Sequence, residues 1–87
     1  MVTIYDLLEV EENASKEEIE KAYRKMLEEY KISPNLDAKE AKENEFILNK
    51  LKIAYDILIN DERRRKYDSD LAKKRAEDLI KNVSIKT

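Results

Sequence analysis

Across 87 residues the chain contains no glycine and one proline, Pro34. Glycine and proline are the two residues that most disfavour a helix interior, glycine through backbone entropy and proline through its missing amide. A chain nearly free of both, and rich in Glu, Lys, Leu, Ala and Ile, is expected to be all-α. Pro34 is then its one obligatory interruption. The lack of glycine also removes phosphate-cradling loops, which need positive φ and close backbone approach.

Apolar periodicity divides the chain around that proline. In "TIYDLLEV" Thr3 can act as N-cap, with Ile4, Leu7 and Leu8 on one face. Ser15 and Glu18 have capping-box spacing and open a second helix. Its stripe is Ile19, Ala22, Tyr23, Met26, Leu27 and Tyr30, and Pro34 predicts its end near Lys31 or Ile32. Asp37, with Glu40 three residues on, starts a third helix predicted to reach Ile59, with Ile47, Leu48, Leu51, Ala54, Tyr55 and Leu58 as its stripe. Two long helices with facing stripes and a short loop are best buried as an antiparallel hairpin. After it, Asn60 can cap a short basic helix, "DERRRKYD". A final amphipathic segment, Leu71 to Val83, gathers Ala72, Ala76, Leu79, Ile80 and Val83, and the last four residues are expected to fray. The expected division is a helical domain at 1–69 and a C-terminal amphipathic helix and tail at 70–87.

Composition removes most enzymatic readings. There is no histidine and no cysteine, so the commonest near-neutral base, the commonest metal ligand and every thiolate are missing. No catalytic residue, metal site or cofactor is assigned, and Asp37, Glu40, Glu43 and Glu45 are read as acids favoured near a helix N-terminus. A formal charge of −2, from 18 basic and 20 acidic residues, supplies no bulk attraction to nucleic acid or anionic membrane. No apolar run approaches the ~20 residues needed to span a bilayer, and "MVTIYDLLEVEEN" lacks the basic region of a secretory signal. A cytoplasmic location is expected.

Three segments, in order, resemble the J-domain of DnaJ-type co-chaperones over residues 3 to 69. "YDLLEV" is similar to the family's opening helix, and "SKEEIEKAYRKMLEEY" to its second, including Ala22 to Lys25 and the tyrosine seven residues after Tyr23. "LNKLKIAYDILINDERRRKYD" is similar to the end of the third helix running into the fourth. The resemblance implies a DnaK-type chaperone ATPase as partner. It would be contacted by the basic face of the second helix, here Lys21, Arg24 and Lys25, and by a His-Pro-Asp signature in the following loop. That signature is absent. Helix register places Lys31, Ile32 and Ser33 on the three positions; counting back from Leu48 places Ser33, Pro34 and Asn35 there. Either register lacks both the imidazole and the carboxylate. Glu20 and Glu29 lie where the family usually carries basic residues, so the basic face is mixed and weaker association is expected.

The function expected is therefore a J-domain-like interaction module that docks a DnaK-type chaperone or another J-protein without normal ATPase stimulation. Its contacts are Lys21, Arg24, Lys25, Lys31, Ser33, Pro34 and Asn35. One alternative is an active co-chaperone working through a variant loop. Another is a helical nucleic-acid-binding module using Arg63, Arg64, Arg65 and Lys66, although basic residues also suit the end of a short helix. Phe46, Ile53 and Ile57 share a flank beside the main stripe of the third helix and form a candidate second interface. The segment from Leu71 to Val83 is expected to fold back or swap onto that flank. The tyrosines, at helical spacing, are read as core residues with hydroxyls reaching the surface.

Overall fold

The computed structural model describes the backbone of residues 2–86 and the side chains of residues 2–82. Four helices follow in order: α1 (Ile4–Leu7), α2 (Lys16–Glu29), α3 (Ala38–Leu58) and α4 (Asp61–Lys86). Among the described residues there is no strand.

Each start is set by a side chain that satisfies a free helical amide. The Thr3 hydroxyl accepts from the Asp6 amide at 3.2 Å while the Asp6 carboxylate accepts from the Thr3 amide at 2.9 Å. Ser15 and Glu18 form the same reciprocal pair at 3.1 and 3.2 Å. Asp37 accepts from the Glu40 amide at 2.8 Å, and Asn60 from the Arg63 amide at 3.0 Å. Such caps contribute about 1 kcal/mol each. α2 stops slightly before the expected Lys31 or Ile32: the backbone leaves the helix at Tyr30, whose amide still donates to the Met26 carbonyl at 3.0 Å. Its ring packs against the core.

α1 is shorter than the pattern implied, because the chain turns sharply after Leu8. Glu9 adopts φ 56°, its amide donates to the Asp6 carbonyl at 3.1 Å, and the Val10 amide donates to the Tyr5 carbonyl at 3.0 Å. This is the Schellman arrangement, which normally places glycine in the left-handed position. The expected face also rotates: Tyr5 and Leu8 are each 1% exposed, whereas Leu7 is 37% exposed. Tyr5 takes the inward position because its hydroxyl finds polar partners on α4, described below.

α3 packs against all three other helices. Its Leu51, Ala54 and Leu58 are buried, joined in one core by Ile19 and Met26 of α2, by Tyr5 and Leu8, and by Ala14 of the α1–α2 loop. Tyr23 stacks on Tyr55 with centroids 4.3 Å apart and planes 12° from parallel. Nearer the loop, Met26 and Tyr30 line one cleft with Ile47 and Leu51. Residue numbers thus rise along α2 as they fall along α3, which makes the pair an antiparallel hairpin.

The basic segment and the final amphipathic segment join without a break in α4. Nothing between Ser69 and Asp70 disrupts a helix, and one row of α4 docks on the domain for four turns. Lys16 and Asp61 pair at 2.9 Å. Arg64 donates to the carbonyls of Glu12 (3.1 Å) and Ala14 (2.8 Å) and to the Tyr5 hydroxyl (3.2 Å). The Tyr5 hydroxyl donates to Asp68, and the Tyr67 hydroxyl accepts from the Ile4 amide at 3.1 Å. Leu71 is buried, and Arg75 grips both carboxylate oxygens of Glu12 at 2.9 and 2.6 Å. Past Arg75 every described side chain is exposed, and with this projecting helix included the molecule measures 57 × 29 × 17 Å.

The expected fold-back onto the α3 flank is therefore not found within the chain. Leu79 and Ile80 are 67% and 66% exposed, and Phe46 and Ile53 are 61% and 60% exposed. A continuous helix held along its first four turns cannot bend its end back onto α3. Fraying was expected over the last four residues, but α4 continues through three of them to Lys86; Thr87 and the side chain of Val83 lie outside the described residues.

Two predictions follow from these contacts. A non-glycine residue in the left-handed region costs about 1–2 kcal/mol, against about 0.4–1 kcal/mol of extra chain entropy that glycine loses on folding. Glu9→Gly should stabilise the protein by about 0.5–1 kcal/mol and Glu9→Val should destabilise it, read from urea midpoints. Arg75 holds the Glu12 carboxyl below the usual carboxylate range through a hydrogen bond, and Lys16 does the same for Asp61. Their stabilisation is present above the ordinary carboxylate pKa and is lost as pH falls through the lowered folded values. Carbon-detected NMR titration should find the Glu12 midpoint depressed, and Arg75→Ala should return it to the ordinary value.

Candidate partner-binding site

The hairpin tip is built from a tight turn. The Leu36 amide donates to the Ser33 carbonyl at 3.2 Å, which closes the turn with Pro34 at its second position, where a fixed φ is an advantage. The Ser33 hydroxyl accepts from the Asn35 amide at 3.3 Å, an exposed bond within the turn. Lys31, Ile32, Pro34 and Asn35 are exposed and Ser33 is half-buried. The tip thus presents a lysine, an isoleucine, a proline and an amide to solvent, with no imidazole or carboxylate among residues 31–35.

Beside the tip, Lys21, Arg24 and Lys25 are all exposed on the outer face of α2. Arg24 is not free: its guanidinium donates to Glu20 at 2.6 Å, one turn away, both partners well exposed. Such a pair contributes about 0.3–0.5 kcal/mol. Its larger consequence is to neutralise part of the basic face. Lys21 and Lys25 instead flank a shallow cleft of ≈ 420 Å³ floored by Leu8, Val10 and Met26 and shared with three glutamates. The face is mixed in charge, as Glu20 and Glu29 imply. The fold brings this face and the tip together at adjacent positions on the hairpin, while Phe46, Ile53 and Ile57 lie on the outer flank of α3.

The tyrosines belong to the core as expected, with Tyr5 buried and the other four half-buried against it. Burial and then the Tyr5–Asp68 hydrogen bond raise the Tyr5 phenol above its ordinary pKa. Burial and then the Asp56 charge raise Tyr23. Among the described residues no acidic cluster has the grouping of a metal site, and no helix is long and apolar enough to cross a membrane.

The basic run is divided by its contacts. Arg64 is turned into the domain, with its guanidinium over the Tyr5 ring at 5.5 Å in addition to its three hydrogen bonds. Arg63, Arg65 and Lys66 remain exposed. Periodicity does not reveal this role, because two of the acceptors of Arg64 are backbone carbonyls about fifty residues away. The bidentate Arg75–Glu12 pair escapes sequence reading for the same reason.

An antiparallel helical hairpin with a proline turn at its tip and a charged outer face on its first long helix defines the all-α class of this fold. The profile of the DnaJ domain family matches residues 3–68, and the chain belongs to that family. It is 43% identical over 67 residues to the chaperone protein DnaJ of Campylobacter jejuni, a match covering 77% of this chain and 17% of the relative. To that of Chlorobium limicola it is 45% identical over 64 residues, covering 74% and 15%. To that of Finegoldia magna it is 43% identical over 68 residues, covering 78% and 18%. The matched region is thus less than a fifth of each of these relatives.

If Arg64 acts as a strut, Arg64→Ala removes charged hydrogen bonds at a half-buried position and should destabilise the fold by about 2–3 kcal/mol, with Arg64→Lys recovering only part. Arg63→Ala and Arg65→Ala should stay within about 0.5 kcal/mol of the parent. Chemical denaturation of the four variants checks the ordering.

Proposed function

We propose that this J-domain docks a DnaK-type chaperone, or another J-protein, without stimulating ATP hydrolysis in the normal way. The chain acts by binding, not by catalysis, and a cytoplasmic setting accompanies that role. Residues 1–69 form the interacting domain, with 70–87 as the appended segment in which α4 continues to Lys86. Lys21, Arg24 and Lys25 supply the basic contacts, and Lys31, Ser33, Pro34 and Asn35 the tip. The observation that carries the reading is the turn itself. Serine and an amide stand on either side of Pro34, and the serine hydroxyl is engaged within the turn. The alternative register, Lys31 to Ser33, offers no imidazole or carboxylate either. Removing one member of an interface charge pair typically costs ~2–5 kcal/mol, which an amide does not restore. The membership of the chain in the DnaJ domain family, and relatives that are named chaperones, support the choice of partner class. Nothing favours nucleic acid, since the central arginine of the basic run is engaged within the fold.

A steady-state ATPase assay with a DnaK-type chaperone tests this directly. The parent protein should leave the basal rate unchanged within about twofold, while Ser33→His/Asn35→Asp, or Lys31→His/Ile32→Pro/Ser33→Asp for the other register, should raise it. Surface-immobilised chaperone should still retain the parent, and Lys25→Glu should weaken that retention. Stimulation by the parent equal to that of a standard J-protein would establish the active co-chaperone reading instead.

A further inference from the structure

Along a flank of α3 that starts just after the tip turn and borders the cleft shared with Met26 and Tyr30, Lys39, Lys42, Phe46, Lys50, Ile53 and Ile57 follow one another at three- and four-residue steps. Residues so spaced lie in one row on a helix. The row contains no acid, in a chain whose net charge is −2. Phe46 and Ile53 are 61% and 60% exposed, and no described ion pair involves any of the three lysines. Lys50 places its ammonium 4.5 Å from the centre of the Phe46 ring, so cation and apolar surface are interleaved. At its far end the row opens into a notch of ≈ 240 Å³ between α3 and α4, lined by Ile57, Tyr67, Arg63, Lys66 and Asp70.

We propose that this row is a docking surface for an acidic amphipathic helix of a partner protein. The helix lays leucine-type side chains along Phe46, Ile53 and Ile57, seats one in the notch, and sets its carboxylates against Lys39, Lys42 and Lys50. Three features select that occupant. An unpaired row of cations around exposed apolar groups complements a helix with the opposite charge and the same period. A second copy of α3 would bring lysine against lysine. An anionic bilayer has no protruding side chain to fill the notch.

The test uses the whole chain and a designed probe: a fluorescein-labelled helical peptide about four to five turns long. The peptide carries leucine at three- and four-residue steps and glutamate on both flanks; a scrambled peptide of the same composition, vesicles of phosphatidylserine and phosphatidylcholine, and a DNA duplex serve as comparisons. Fluorescence anisotropy should show saturable binding of the designed peptide, weakened by salt, with amide shifts confined to the α3 row and the notch. Ile53→Glu, at an exposed position that leaves the core intact, should weaken binding at least about tenfold, the effect of losing one central anchor. Lys42→Glu/Lys50→Glu should abolish binding of the acidic peptide and confer binding of its lysine counterpart, which separates a lost surface from a lost fold. Equal binding of the scrambled peptide, shifts centred on α2 or the tip, or preference for vesicles or DNA would overturn the proposal. So would absence of binding, or a concentration-dependent dimer that occupies the row with Leu79 and Ile80 of a second copy.

Discussion

The fold depends first on Leu51, Ala54 and Leu58, the three residues that α3 turns inward, none more than 2% exposed. Through them a single helix packs against α1, α2 and α4, so no other pair of elements has to supply a core of its own. Ala54 at their centre is small, and its lack of bulk suits the close approach of neighbouring backbones. A domain of this size buries only roughly 60% of the surface its unfolded chain exposes, so such a core operates with little reserve. Polar clamps supply what apolar area does not. Arg64, Asp68, Tyr67 and Arg75 tie α4 to the first fifteen residues, and every described buried side-chain polar atom has a partner.

The absence of glycine made helix nearly unavoidable and also left a mark. A chain that must reverse direction after a four-residue helix needs a left-handed residue, and here that residue is Glu9. The strain is local and is offset by the two closing hydrogen bonds and by Val10 packing onto the core. At Pro34 the reverse holds. The turn uses a negative φ that proline already prefers, so the single proline sits where it is least disruptive.

Much of this was legible in the sequence where one helix face meets one core. The caps at Thr3, Ser15, Asp37 and Asn60 are short-range signals, and the α2 and α3 stripes carry the helical period directly. What was not legible shares a cause. The docking row of α4, Asp61, Arg64, Asp68, Leu71 and Arg75, has the right spacing but is mostly charged, so an apolar pattern passes over it and suggests a break near Leu71 instead. Tyr5 displaced Leu7 from the interior because its hydroxyl partners, Arg64 and Asp68, lie some sixty residues away. Hydropathy ranks leucine first; a satisfied phenol reverses the order. At the tip, the missing imidazole is a fact of composition and the missing carboxylate a fact of the local sequence around Pro34. The Ser33–Asn35 bond and the Glu20–Arg24 pairing required coordinates.

The separation between what builds the hairpin and what sits at its tip explains how such a module can lose a signature and keep its fold. Tyr30 closes α2 and Asp37 opens α3, and both act through contacts outside the turn. Between them, Ser33 to Leu36 hold themselves by two bonds of their own, neither of which involves the core. Side chains at the tip are therefore under no structural constraint from Leu51, Ala54 or Leu58 and can change without loss of stability. The same independence applies to the outer face of α3, where Phe46 and Ile53 contribute little to the interior they cover. Exposed aromatic and aliphatic groups that do not serve the core are selectively neutral at best for folding and favour aggregation at worst. Interleaved lysines limit that hazard while leaving apolar surface open to an acidic partner, so the composition of this face is better matched to binding than to folding.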